Sequence, residues 1–170
     1  MRTVELLLDQ ELEEGVREWW RRLRDAGLPS LATHRHPTNR PHLTVVTASS
    51  LAGLPPLDLP LAAELGPVRA LGRALVREVV ATPDLRELQA RVWRSLPAPA
   101  SCIPSSSRAV RSGEPWPAPA DWVPHVSLAL RASPAQQRAA LEMAADLPPA
   151  YGRFDAARSY DTVTRTVTDL

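Results

Sequence analysis

Apolar positions along this chain recur with two periods, and the places where the period changes mark its elements. "RTVELLL" (residues 2–8) reads as a strand. From Glu11 the spacing turns helical, with Leu12, Val16, Trp19 or Trp20 and Leu23 on one face. Acids fill the first turn, arginines the last, and Gly27 follows as a stop, as the helix dipole and a left-handed cap favour. "HLTVVTA" (42–48) is a second strand, and "LPLAAELGPVRALGRALVREVVA" is predicted to break at Gly66-Pro67 and at Gly72 into short strands. Thr82 and Pro83 open a helix whose stripe is Leu85, Leu88 and Val92. Residues 97–121 carry no period and are rich in Pro, Ser and Ala, so a long loop of the lid or binding type is expected there. "WVPHVSLAL" is the next strand, and Ser133, Pro134 and Gln136 form a capping box for a helix running to about Ala145. The alternation from Tyr160 to Val167 predicts a last strand, paired with "FDAARS".

The order is strand, helix, His strand, strands, then helix, His strand, helix, strands. Two halves of similar plan predict an α+β domain of two packed lobes, pseudo-twofold and rich in antiparallel sheet, with flanking helices and a central cleft. At 170 residues the chain accommodates one such domain rather than two independent ones. Apolar residues make up 44% and charged residues 23%, which argues against disorder. No apolar run is long enough to cross a bilayer, and the amino terminus turns acidic after three leucines without a cleavage site, so a cytoplasmic protein is expected. The single cysteine, Cys102, has no disulfide partner and no zinc-site companions, and reads as a partly buried or incidental thiol.

A net charge of +1 does not suggest a protein that coats long nucleic acids. Between Arg69 and Arg111 eight arginines face three acids, an excess that suits a phosphate-bearing ligand. Every basic residue is arginine, however, so compositional bias accounts for much of it.

Candidate chemistry lies in a repeat. "PHLTVV" (41–46) and "PHVSLA" (124–129) both run Pro, His, aliphatic, hydroxyl, aliphatic, with the histidines 83 positions apart. On a strand His42 and Thr44 share a face with Val46, and His125 and Ser127 share one with Ala129. Such faces supply two acid–base groups to flank a phosphorus and two hydroxyls to hold its oxygens. Chance alone gives roughly half a match to His-x-Ser/Thr in this chain, and there are three, so the bare tripeptide is weak. The third, "HPT" at His36, is set aside because Pro37 and Pro41 interrupt a sheet ladder. A metal site of His34, His36 and His42 is weighed against this, but no Cys, Asp or Glu stands among them to complete it. Arg40 is within reach of a phosphate, and Trp116, Trp122 and Tyr160 are candidates to stack on a base, each against a plain surface or packing role. Trp19, Trp20 and Trp93 lie on helices and read as packing.

The two motifs, their separation and the near-symmetric halves resemble the two-histidine phosphoesterase superfamily, particularly its 2′-5′ RNA ligase-like branch, over essentially the whole chain. The resemblance implies His-x-Ser/Thr twice on the central strands of two lobes lining a groove, which nominates His42, Thr44, His125 and Ser127. It further implies hydrolysis, with neither metal nor cofactor, of a 2′,3′-cyclic phosphate on a nucleotide or RNA terminus. The alternatives are 2′-5′ RNA ligation and a non-catalytic RNA-end or nucleotide-binding module. No obligatory protein partner and no membrane are expected.

Overall fold

A computed structural model describes residues 1–97 and 115–170, and these form an α+β structure. In chain order the elements are β1 (Arg2–Leu8), α1 (Gln10–Asp25), β2 (His42–Ala48), β3 (Leu61–Leu71), β4 (Ala74–Val79), α2 (Pro83–Ser95), β5 (His125–Ala129), α3 (Pro134–Met143), β6 (Ala150–Asp161) and β7 (Thr166–Asp169). Among the described residues no helix is long and apolar enough to cross a membrane.

The seven strands of the described residues form one antiparallel sheet. Following the pairings from β1 through β2, β5, β4, β3 and β6 leads back to β1. The long β6 makes this closure possible. Its first residues pair with β3 through Leu61–Leu65, and from Phe154 onward it pairs with β1. The core is formed by one face of this sheet, with Leu6, Leu8, Leu43, Leu65, Leu75, Leu128 and Phe154, against the apolar stripes of α1 and α2. Trp19 and Trp20 are both buried in it.

Local sequence explains the helix ends. The Asp9 carboxylate accepts from the Leu12 N–H at 2.9 Å, Thr82 caps α2, and Ser133 and Gln136 complete their capping box. Asp9 also accepts from the Arg153 N–H at 2.7 Å, which pins the start of α1 onto β6. Gly152 makes that close approach possible, because a Cβ there would stand 2.4 Å from Asp9 Oδ2 and 2.8 Å from Leu12 Cγ. Gly152→Ala is therefore expected to lower stability by about 1–3 kcal/mol, measured by urea unfolding. A neutral effect would mean that α1 slides freely on β6.

Two expectations are corrected. Gly66-Pro67 does not break the chain into separate strands; β3 runs through it, with the register against β4 shifting between Leu65 and Val68. The irregular carbonyls are taken up from across the sheet. The buried Arg77 guanidinium donates to Gly66 at 3.1 Å, to Leu65 at 3.4 Å and to Pro148 at 2.7 Å. Loss of hydration on burial pulls its pKa below the usual arginine value. The alternation from Tyr160 to Val167 is likewise not one strand, since it spans the end of β6, a turn and the start of β7. Arg158–Asp161 pairs with Thr166–Asp169. In that turn Asp161 Oδ1 accepts from the Val163 and Thr164 N–H groups, first one and then the other holding its carboxyl below the usual range.

Most of the loop expected at residues 97–121, Cys102 included, lies outside the described residues. Its described end has structure: Trp116 exchanges two backbone hydrogen bonds with Thr47, and Pro119–Asp121 forms a 3-10 turn.

Candidate active site

The two His strands are neighbours. β2 and β5 meet antiparallel through a single residue pair, Leu43 opposite Val126, the middle residues of the two His-x-hydroxyl motifs. That register sets His42 beside Ser127 and Thr44 beside His125, with directly opposed side chains on one face. By ideal sheet spacings the two histidine Cα atoms are about 8 Å apart, diagonally across the pair.

Each strand has the same construction. The burial pattern from the histidine onward is identical, with His and hydroxyl residues half-buried and the residues between and after them buried. The simple alternation expected from sequence therefore stops after the hydroxyl, because Val46 and Ala129 are buried rather than facing the same way as the histidines. The ladders show why. β1 pairs Glu5 with Thr44 and then Val4 with Val46, so Val45 is an extra residue. β4 pairs Val76 with Ser127 and then Leu75 with Ala129, so Leu128 is extra. A β-bulge one residue after each hydroxyl rotates the strand and sends two consecutive side chains inward.

The carbonyls of the hydroxyl residues are matched as well. Trp20 on α1 donates its indole N–H to the Ser127 carbonyl at 3.0 Å, and Trp122 donates to the Thr44 carbonyl at 3.1 Å. With only one residue pair between β2 and β5, the flanking polar groups need partners from outside the sheet, and the two indoles supply them. Buried Gln89 on α2 donates to the carbonyl of the bulged Val45 at 3.5 Å and to that of Pro117 at 3.0 Å.

The imidazoles are oriented in the same manner. Nδ1 of His42 lies 2.7 Å from the Arg40 carbonyl, and Nδ1 of His125 lies 2.7 Å from the Val123 carbonyl. A carbonyl only accepts, so each Nδ1 carries a hydrogen, and each Nε2 is the atom that exchanges a proton. His36 has the opposite arrangement: its Nδ1 accepts from the Thr38 N–H at 3.3 Å, which places the neutral ring's proton on Nε2.

A cavity of about 720 Å³ opens beside β2, lined among others by Glu5, His34, His36, His42, Ser127, Arg158, Tyr160 and Arg165. His125 lines a second hollow of about 580 Å³ with Arg69, Glu78 and Arg86. Ser127 thus faces the first space and His125 the second, two residues apart on one strand. Thr44 lines neither.

Of the residues considered for substrate contact, Tyr160 is in the His42 cavity, with its ring edge-on to His36 at 6.5 Å between centroids. Trp122 is buried and serves as the indole cap of Thr44, not as a stacking surface. Trp116 is exposed and held by its backbone to Thr47, outside the cavity. Arg40 turns its guanidinium to Glu13 and lines a different hollow, so it contributes its carbonyl rather than its charge. His34, His36 and His42 share the cavity, but among the described residues no three His, Cys, Asp or Glu side chains gather closely enough to hold a metal ion.

Two residues of the cavity escaped the sequence reading. Glu5 and Arg158 are both buried and paired, Arg158 Nε to Glu5 Oε2 at 2.7 Å. Glu5 Oε1 accepts from the Thr3 hydroxyl at 2.8 Å and stands 3.6 Å from His42 Nε2. A lone acid inside the apolar run "VELLL" was the available signal, since a charge on a buried strand requires a partner.

No protein-family model matches the chain, and no curated protein is significantly similar to it.

Proposed function

We propose that the protein is a metal-independent phosphodiesterase that opens a 2′,3′-cyclic phosphate on a nucleotide or RNA end by two-histidine acid–base catalysis. The observation that carries this reading is the matched pair of His-x-hydroxyl strands, joined at their middle residues and each with Nδ1 fixed on a carbonyl. His125 Nε2 takes a proton from water, whose oxygen attacks phosphorus in line. The P–O bond to the ribose breaks, and His42 Nε2 protonates the departing oxygen. Ser127, which lines the His42 cavity, donates a hydrogen bond to a non-bridging oxygen, and Thr44, opposite His125 in the register, is assigned the same role by the motif alone. Among the described residues His42 has a carboxylate within 4 Å of Nε2, Glu5 Oε1 at 3.6 Å, and His125 has none. This asymmetry supports His42 as the acid.

The bilobal part of the reading is inferred along with the function. In that reading β1–α1–β2 and β4–α2–β5 are the two halves, related by a pseudo-twofold axis near the Leu43–Val126 pair, and a substrate held by both motifs requires the two hollows, which share no lining residue, to act as one cleft. Ligation is the second reading, and one observation favours it. A hollow lined by Arg17, Arg21, Arg24 and Arg35 shares His34, His36 and Asn39 with the His42 cavity, so a guanidinium-rich surface that suits a phosphate backbone adjoins it.

Cyclic mononucleotides and oligonucleotides with cyclic ends, assayed in the presence of a chelator, test the proposal. Turnover of mononucleotides without added metal is expected, with a bell-shaped pH profile because one ring must be charged and the other neutral. An absolute requirement for a divalent ion would overturn the mechanism. A requirement for a second strand would favour ligation, and binding without turnover would leave only a binding module.

A further inference from the structure

We infer that Arg158 is the residue that binds the phosphoryl group, with Glu5 as the residue that positions it. The reaction context rests on the phosphodiesterase reading; the binding itself does not. Arg158 is 7% exposed and projects from β6 into the cavity that His42 and Ser127 line. Only its Nε is engaged, by Glu5. Among the described residues neither terminal guanidinium nitrogen has a protein partner, and neither is sealed from solvent, since Arg91 Nε is the buried side-chain polar atom found without one. Two parallel donors therefore open into the cavity, in the fork geometry that suits two oxygens of one phosphate.

Arg165 lines the same cavity but is exposed, with no side-chain hydrogen bond among the described residues to fix its guanidinium, and two other arginines differ as well. Arg77 is as deeply buried, but both of its donating nitrogens end on the carbonyls of Leu65, Gly66 and Pro148, which is a structural role. Arg40 is spent on Glu13 in another hollow. Stability does not account for the Glu5–Arg158 pair either, because a buried ion pair brings little net stabilisation over an apolar pair of similar size. Glu5 instead fixes the plane of the guanidinium through Nε and leaves its terminal edge toward the space beside His42 Nε2.

Titration calorimetry with inorganic phosphate tests this. The wild type is expected to bind. Arg158→Lys keeps a charge against Glu5 but loses the fork, and should weaken binding about 3- to 10-fold. The double variant Glu5→Gln with Arg158→Gln leaves no charge buried alone and should weaken it at least about 10-fold, while Arg94→Gln, which removes an exposed guanidinium outside the cavity, stays within about twofold. Circular dichroism establishes that each variant is folded. Wild-type affinity in the double variant, or no phosphate binding by the wild type at millimolar concentration, would overturn the inference. Arg158-dependent phosphate binding without turnover of any cyclic phosphodiester would sustain the inference and defeat the hydrolase reading. Turnover with phosphate affinity indifferent to Arg158 would do the reverse.

Discussion

Replacing either His42 or His125 with alanine is expected to reduce turnover of a 2′,3′-cyclic phosphate about 10²- to 10⁴-fold, the range of a single acid–base group. Both side chains are only half-buried, so the fold survives their truncation. His36→Ala, the third His-x-hydroxyl sequence in the chain, should lose little, because its Nδ1 accepts a hydrogen bond and its strand context is missing. Steady-state kinetics on a second substrate separates the two roles. With p-nitrophenol as leaving group no proton need be supplied, so His42→Ala should recover most of its rate while His125→Ala should not. Near-wild-type rates in either mutant on the cyclic phosphate would show that one copy of the motif is purely structural, and equal recovery by both would refute the assignment of acid and base.

Arg158→Met should destabilise the protein by about 3–5 kcal/mol, the cost of leaving a buried charge without its partner. Glu5 is 3% exposed, and its remaining contacts, the Thr3 hydroxyl and the distant His42 ring, do not replace a guanidinium. Adding Glu5→Gln to Arg158→Met should restore most of that loss, since the pair is then removed together. Urea unfolding of the two single variants and the double gives the coupling energy directly. Simple additivity would mean that water reaches Glu5 and that the pair is not desolvated.

Much of the fold was legible where the signal is local. The stretch "HLTVVTA" coincides with β2 to the residue, and the caps at Thr82 and Ser133 follow from side chains within three positions. Failures occurred where a distant residue decides. Gly66-Pro67 reads as a break because nothing nearby reveals that Arg77, eleven residues on, satisfies its carbonyls. Tyr160 to Val167 reads as a strand because a turn made from alternating polar residues keeps the period of two. The site divides in the same way. The His-x-hydroxyl repeat is visible in sequence, but its bulges depend on partners in β1 and β4. The Glu5–Arg158 pair joins residues 153 positions apart, and an aromatic residue such as Trp122 has the same appearance in sequence whether it stacks on a ligand or closes a backbone hydrogen bond.

The two indole caps are crossed. Trp20, from the helix that precedes the first His strand, closes the carbonyl in the second, and Trp122, which leads into the second, closes the carbonyl in the first. Neither His strand therefore takes its indole donor from the stretch of chain that leads into it, and a fragment ending before Trp122 lacks the donor for Thr44 just as the complementary fragment lacks the donor for Ser127. An order of elements that looks divisible is thereby tied across its length: loosening either indole withdraws a hydrogen bond from the His strand in the other part of the chain.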